Sequence, residues 1–170
     1  TVSTMISGSA GMMSSVLRIM TSGILAGCLV KTGAAEKIAD SIIVKLGEKK
    51  ALMAVAIASM IICSVGVFID IAVITVAPIS LALGKRANLS KSSILLAMIG
   101  GGKAGNIISP NPNTIATSEA FGVSLNSLMA ANIIPAIFAL IATILISMAI
   151  TKKFSDQIVA VSYTHLTLPT

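Results

Sequence analysis

The chain has 170 residues, of which 55% are hydrophobic and only 11% charged, with a mean hydropathy of +0.99 and a formal net charge of +6. A soluble domain carries about 25% charged residues, so this chain has too little polar surface to cover a globule. Nor does the positive charge point to nucleic acid: aromatic residues make up 3% and there is no Trp, while the lysines sit in short loops between apolar runs, as in the cytoplasmic loops of membrane proteins.

Taken in chain order, the sequence opens on Thr1 with neither an initiator Met nor a charged leader, which does not read as a signal peptide and is expected of a fragment. Residues 10–30 form a first apolar segment, rich in Gly and Ser and interrupted by Arg18. Arg18 is expected to snorkel or to face a partner helix. Residues 31–50, KTGAAEKIADSIIVKLGEKK, place Ile38, Ile42, Ile43 and Leu46 at helical spacing, which predicts an amphipathic surface or interfacial helix.

Residues 51–84 are apolar but broken by Asp70 and Pro78. The stretch is too long for one span and short for two with a loop. Its flanks decide its form. Lys31, Lys37, Lys45, Lys49 and Lys50 precede it and outnumber Glu36, Asp40 and Glu48, and Lys85, Arg86 and Lys91 follow it without an acid. Both flanks should therefore be cytoplasmic, which makes 51–84 a re-entrant hairpin with its tip near VGVFIDIA. Such backbone is tolerated at depth only inside protein or beside a water-filled cavity.

Residues 92–120 begin as helix, with Ser90 as N-cap, and are expected to be interrupted by GGGKAGNIISPNPN before TIATSEA resumes. The connector FGVSLNS has no basic residue and belongs outside. The uncharged run 128–150 then reads as one span of the roughly 18 or more residues a bilayer requires, followed by Lys152 and Lys153. Residues 161–170, VSYTHLTLPT, lose the membrane pattern and are expected to be a non-native tail. That removes the sole His, His165, from any proton relay. Cys28 and Cys63 lie in apolar segments and read as packing residues, and no Cys/His spacing supports a metal.

The stretch 100–114, GGGKAGNIISPNPNT, carries the chemistry. Pro110 and Pro112 lack backbone donors and push the residues before them out of helical geometry. Secondary transporters build substrate sites from such broken helices. A half-helix restarting near Asn113 and Thr114 would aim its amides and partial positive charge at the break, which suits a carboxylate. Asn106, Ser109, Asn111, Asn113 and Thr114 could add neutral partners for the hydroxyls of a polyol. The P-loop pattern fails, because Ala97 stands where Gly, and Ala104 where Ser or Thr, would be needed.

Ionisable residues at membrane depth are functional by default. Asp70, near the expected hairpin tip, is the candidate proton-coupling group, its carboxyl desolvated enough to exchange a proton. Lys103 either balances a substrate carboxylate or pairs with Asp70. Glu119 reads as a solvated residue at a helix end. No catalytic constellation and no cofactor are expected.

At these residues the chain resembles the gluconate permease family, the GntP-type gluconate:proton symporters of the ion transporter superfamily. The likeness is carried by SGILAGCLVKTGAAEKIADSIIVKLG and by VGVFIDIAVITVAPISLALGKRANLSKSSILLAMIGGGKAGNIISPNPNTIA, over residues 22–150. Some members have His and Gly where this chain has Asn111 and Asn113. The resemblance implies two inverted halves with twelve or more transmembrane segments and proton symport of gluconate or a related sugar acid. The expectation is therefore an all-α, multi-pass protein of the bacterial inner membrane, with residues 1–160 as part of its transporter domain. Its partners would be a small sugar-acid anion, the lipid bilayer and, for assembly, a second copy of itself. The competing readings are a sodium-coupled di- or tricarboxylate carrier and a membrane-embedded enzyme; the latter would need a nucleophile or metal constellation that the sequence lacks.

Overall fold

The computed structural model describes residues 2–3, 8–9 and 13–153; the tail 161–170 lies outside them. Among the described residues the elements are helical: α1 (Met13–Lys31), α2 (Ala34–Leu46), a 3-10 turn (Glu48–Lys50), α3 (Ala51–Ser64), α4 (Ile69–Arg86), α5 (Lys91–Asn106), α6 (Pro112–Ala120), α7 (Leu125–Ala131) and α8 (Ile133–Lys153). By length and composition α1 and α8 could each cross a membrane.

The amphipathic stretch 31–50 becomes α2, whose buried Ala35, Ala39 and Ile43 recur every fourth residue. That stripe faces α3, with Ile38, Ile42 and Leu46 filling in at its sides. The helix α3 forms the centre of the bundle. Leu52, Val55, Ala58, Ile62 and Cys63 are all buried, while the opposite face, with Ile61 exposed, is only partly covered.

The apolar stretch 51–84 folds as two helices joined by the short link 65–68. The sequence marked Asp70 and Pro78 as its interruptions, whereas α4 runs through both. The link forms within the expected tip VGVFIDIA, around Gly66, whose φ of 109° is a backbone state that side chains with a Cβ rarely adopt. Asp70 then falls in the first turn of α4, where the helix dipole favours a carboxylate. Pro78 removes one bond, to the carbonyl of the exposed Ile74, a loss that a helix in a membrane absorbs by local adjustment.

A second correction concerns the glycines. The triplet at positions 100–102 does not interrupt the helix; α5 continues to Asn106. Glycine in a helix costs about 1 kcal/mol relative to Ala, but here the missing side chains let α5 lie against the backbone of α3. A Cβ at Gly101 would run into the carbonyl of Ala56, and one at Gly105 into the carbonyl of Met60. Small residues four apart give this close approach where lipid offers no hydrophobic drive between helices.

On the other side of α5 packs α8, running antiparallel. Thr151 Oγ1 donates to Ser93 Oγ at 2.7 Å, Thr143 lies against Gly100, and Asn132 reaches Ile107 at the far end. Ser90 caps α5 as expected, accepting from the Ser93 N–H. The run 128–150, expected as one uninterrupted span, is divided at Asn132 between α7 and α8. Pro135 explains this, since it cannot donate to the carbonyl of Ala131.

Candidate functional site

Interruptions in three pairs of helices meet at one place. They are the link 65–68 between α3 and α4, the break 107–111 between α5 and α6, and Asn132 between α7 and α8. Side chains tie them together. Ser22 of α1 donates through Oγ to the carbonyl of Pro110 at 2.7 Å. A Cβ on Gly66 would lie 3.3 Å from Ser22 Oγ and 3.9 Å from Pro110 Cγ, so the tip of the α3–α4 hairpin rests on the same point. Asn132 Nδ2 donates to the carbonyl of Ile107 at 3.0 Å, satisfying an acceptor that the end of α5 leaves open.

Within the break, Asn111 organises the backbone. It is almost wholly buried, at 1% exposure, and is the N-cap of α6. Its Oδ1 accepts from the N–H groups of Asn113 and Thr114, at 2.8 and 3.2 Å. Its Nδ2 donates to the Asn106 carbonyl, to Ser109 Oγ at 3.1 Å and to Thr114 Oγ1 at 3.0 Å. Ser109 Oγ also donates to the Asn106 carbonyl, at 2.9 Å. The amides of the half-helix are thus already committed: Pro112 has none, those of Asn113 and Thr114 go to Asn111 Oδ1, and that of Ile115 goes to the Asn111 carbonyl at 3.0 Å. The sequence had these amides facing a carboxylate. In the fold the first turn of α6 has no unclaimed amide to offer an anion.

The candidate residues divide by exposure. Asn106, Ser109, Asn111 and Thr114 are buried, whereas Lys103, Asn113 and Asp70 are exposed. Asn106 is distinctive among the buried group, because its Oδ1 has no hydrogen-bond partner although the residue is only 7% exposed. An unsatisfied buried acceptor costs roughly 1–3 kcal/mol, so this oxygen is available to a donor from a guest. Gly102 lies against Ile69, which sets Lys103 and Asp70, each the next residue along, on adjoining turns of touching helices. Among the described residues no ion pair joins them.

Sequence reasoning missed Ser22 and Asn132, whereas Gly66 lies in the expected tip VGVFIDIA. Ser22 and Asn132 contact the break across 88 and 25 residues, and no local pattern marks them. Only Pro135, three residues after Asn132, signalled an interruption there. Arg18 and Glu119, left without a role by the sequence, line a common polar cleft of about 610 Å3 with Ser118, Ser124 and Asn126.

Comparison with known proteins gives this arrangement its setting. The model of the GntP family permeases matches residues 1–168. An uncharacterized transporter of Haemophilus influenzae is 56% identical over 155 residues, covering 91% of this chain and 37% of that protein. A gluconate permease of Bacillus subtilis is 26% identical over 164 residues, covering 95% of this chain and 36% of its own length, and a gluconate permease of Bacillus licheniformis is 28% identical over the same coverage. The chain spans about a third of the length of the curated relatives it matches. No solved structure matches it. The chain belongs to the GntP permease family, a family of membrane-embedded helical permeases rather than of enzymes.

Proposed function

We propose that this member of the GntP permease family forms part of a secondary active transporter of the bacterial inner membrane, which couples proton influx to uptake of gluconate or a related sugar-acid anion. The observation that carries the reading is the meeting of helix interruptions at a buried polar centre. Secondary transporters use such unwound backbone to surround a solute at mid-membrane, and at this break Asn106 Oδ1 has no partner among the described residues. Two relatives carry the name gluconate permease, which favours a hydroxylated monocarboxylate.

In this reading the residues take different parts. Lys103, exposed beside the break, offers the cation for the carboxylate. Asn106 Oδ1 accepts from a substrate hydroxyl, and Asn113 supplies a further amide. Asn111, Ser109 and Thr114 hold the shape of the break through their mutual bonds and touch the substrate less directly. Asp70, in the first turn of α4, the helix whose Ile69 lies against Gly102, carries the coupling proton.

Sodium coupling has one observation in its favour. A buried amide oxygen without a partner among the described residues is the ligand type that hard cations take. Uptake by the full-length permease in energised vesicles separates the two. Collapse by a protonophore with indifference to sodium is the expected result. Asp70→Asn, which keeps shape and removes titration, should then abolish uphill uptake while sparing counterflow exchange. Uphill uptake that survives in Asp70→Asn would remove Asp70 from the coupling mechanism.

A further inference from the structure

At the basic end of the bundle a groove of about 390 Å3 opens between the start of α3, the α4–α5 link and the last turns of α8. Its lining is layered. Leu52 and Ile144 are buried in the floor, with half-buried Leu89 and partly exposed Met148 above them. The rim holds Lys49, Lys50 and Lys152, all exposed, with Glu48 as its one acid. Among the described residues no ion pair neutralises these three lysines. The lysines come from the 3-10 turn before α3 and the final turn of α8, elements distant in sequence that the fold brings to one rim.

We infer that this groove binds one anionic phospholipid, its phosphate held by Lys49, Lys50 and Lys152 and the first part of an acyl chain laid on the apolar floor. Three physical considerations select this occupant. A soluble phosphate would satisfy the rim and leave the floor wet. A zwitterionic lipid would fill the floor but bring its own cation to a rim already positive. An anionic lipid matches both layers, and basic pockets between transmembrane helices on the cytoplasmic side are where such headgroups bind. The rim's sign is that of cytoplasmic ends, where a membrane with an anionic inner leaflet presents this ligand. The inference rests on the chain lying in a membrane and does not depend on the transported substrate.

The test uses the full-length permease purified in a neutral detergent at low ionic strength. Its thermal unfolding is followed while phosphatidylglycerol, phosphatidylcholine or inorganic phosphate is titrated in, and retained lipid is counted by native mass spectrometry. Phosphatidylglycerol should raise the unfolding temperature saturably and remain bound at one copy per groove; the other two should do neither. With each lysine near an anionic surface contributing about a fivefold factor, Lys49→Gln, Lys50→Gln and Lys152→Gln combined should weaken phosphatidylglycerol binding about a hundredfold. The corresponding triple Arg variant should restore most of it, which separates lost charge from misfolding. Equal stabilisation by phosphatidylcholine would overturn the proposal, as would equal stabilisation by inorganic phosphate. So would an equal loss in a Lys31→Gln, Lys37→Gln control, since that would show diffuse surface charge rather than a site.

Discussion

Substitution of Asn111 and Asn113 by Ala should have opposite consequences, although the two asparagines stand two residues apart in one motif. Asn111 is buried and bonded on both faces of its amide. Asn111→Ala removes an N-cap, worth about 1 kcal/mol. It also withdraws a donor from the buried Asn106 carbonyl and the Ser109 and Thr114 hydroxyls, at roughly 1–3 kcal/mol. The sum is about 2–4 kcal/mol of stability, lost even with no substrate present. Asn113 is exposed and uses only its backbone in the cap, so Asn113→Ala should change stability by less than about 0.5 kcal/mol. If its amide holds the sugar acid, affinity should fall by roughly 1.5–3 kcal/mol, about ten- to a hundredfold. The assay is unfolding in detergent of the full-length protein, paired with substrate binding by competition. Asn111→Ser, which restores a capping oxygen but not the donor, should recover about the capping share of the loss. An Asn111→Ala protein as stable as wild type but as weak in binding as Asn113→Ala would refute the reasoning and return Asn111 to direct contact with the substrate.

Two further outcomes follow from the packing and the charge pattern. Gly101→Val drives its side chain into the carbonyl of Ala56, so it should separate α5 from α3 and abolish a stable fold, whereas valine at Ala116, which is exposed on α6, should be tolerated; a trypsin-resistant, normally inserted Gly101→Val protein would contradict the close packing. With Cys28 replaced by Ser, Lys49→Cys and Lys85→Cys should both react with an impermeant thiol reagent only from the cytoplasmic side, and labelling of one of them from outside would mean that α3 and α4 together span the membrane.

Much of the architecture is legible because the bilayer imposes coarse rules. Long uncharged runs become helices. Hence the helices around 13–31 and 133–153, the paired helices of 51–84 and the restart at Pro112 all follow from local signals. What failed was the reading of individual breakers. A glycine triplet opposes helix only when nothing compensates, and the compensation for α5 comes from carbonyls of Ala56 and Met60, which no sequence window around 100–105 contains. Conversely, the turn falls within the expected tip VGVFIDIA, but it is made by the positive φ of Gly66 and not by Asp70 or Pro78, which α4 absorbs. The polar centre was half legible. Its residue types announced a break, but whether an asparagine serves the guest or the backbone depends on where its amide finds partners. That choice is made by burial: residue type alone suggests a ligand at Asn111, and the fold uses its amide as a cap.

The shortness of α3 has an electrical consequence. Its 14 residues rise about 21 Å at 1.5 Å each, against a hydrocarbon core of about 30 Å. With both feet of the hairpin in the cytoplasm, Asp70 would stand roughly a third of the way in from the outer face. If Asp70 carries the coupling proton as proposed, a proton reaching it from outside would cross about a third of the transmembrane field, worth about 0.8 kcal/mol per 100 mV. Proton binding would thus tighten about fourfold for each 100 mV of inside-negative potential. The length of one helix would set how much of the cell's voltage, as distinct from its pH gradient, loads the carrier.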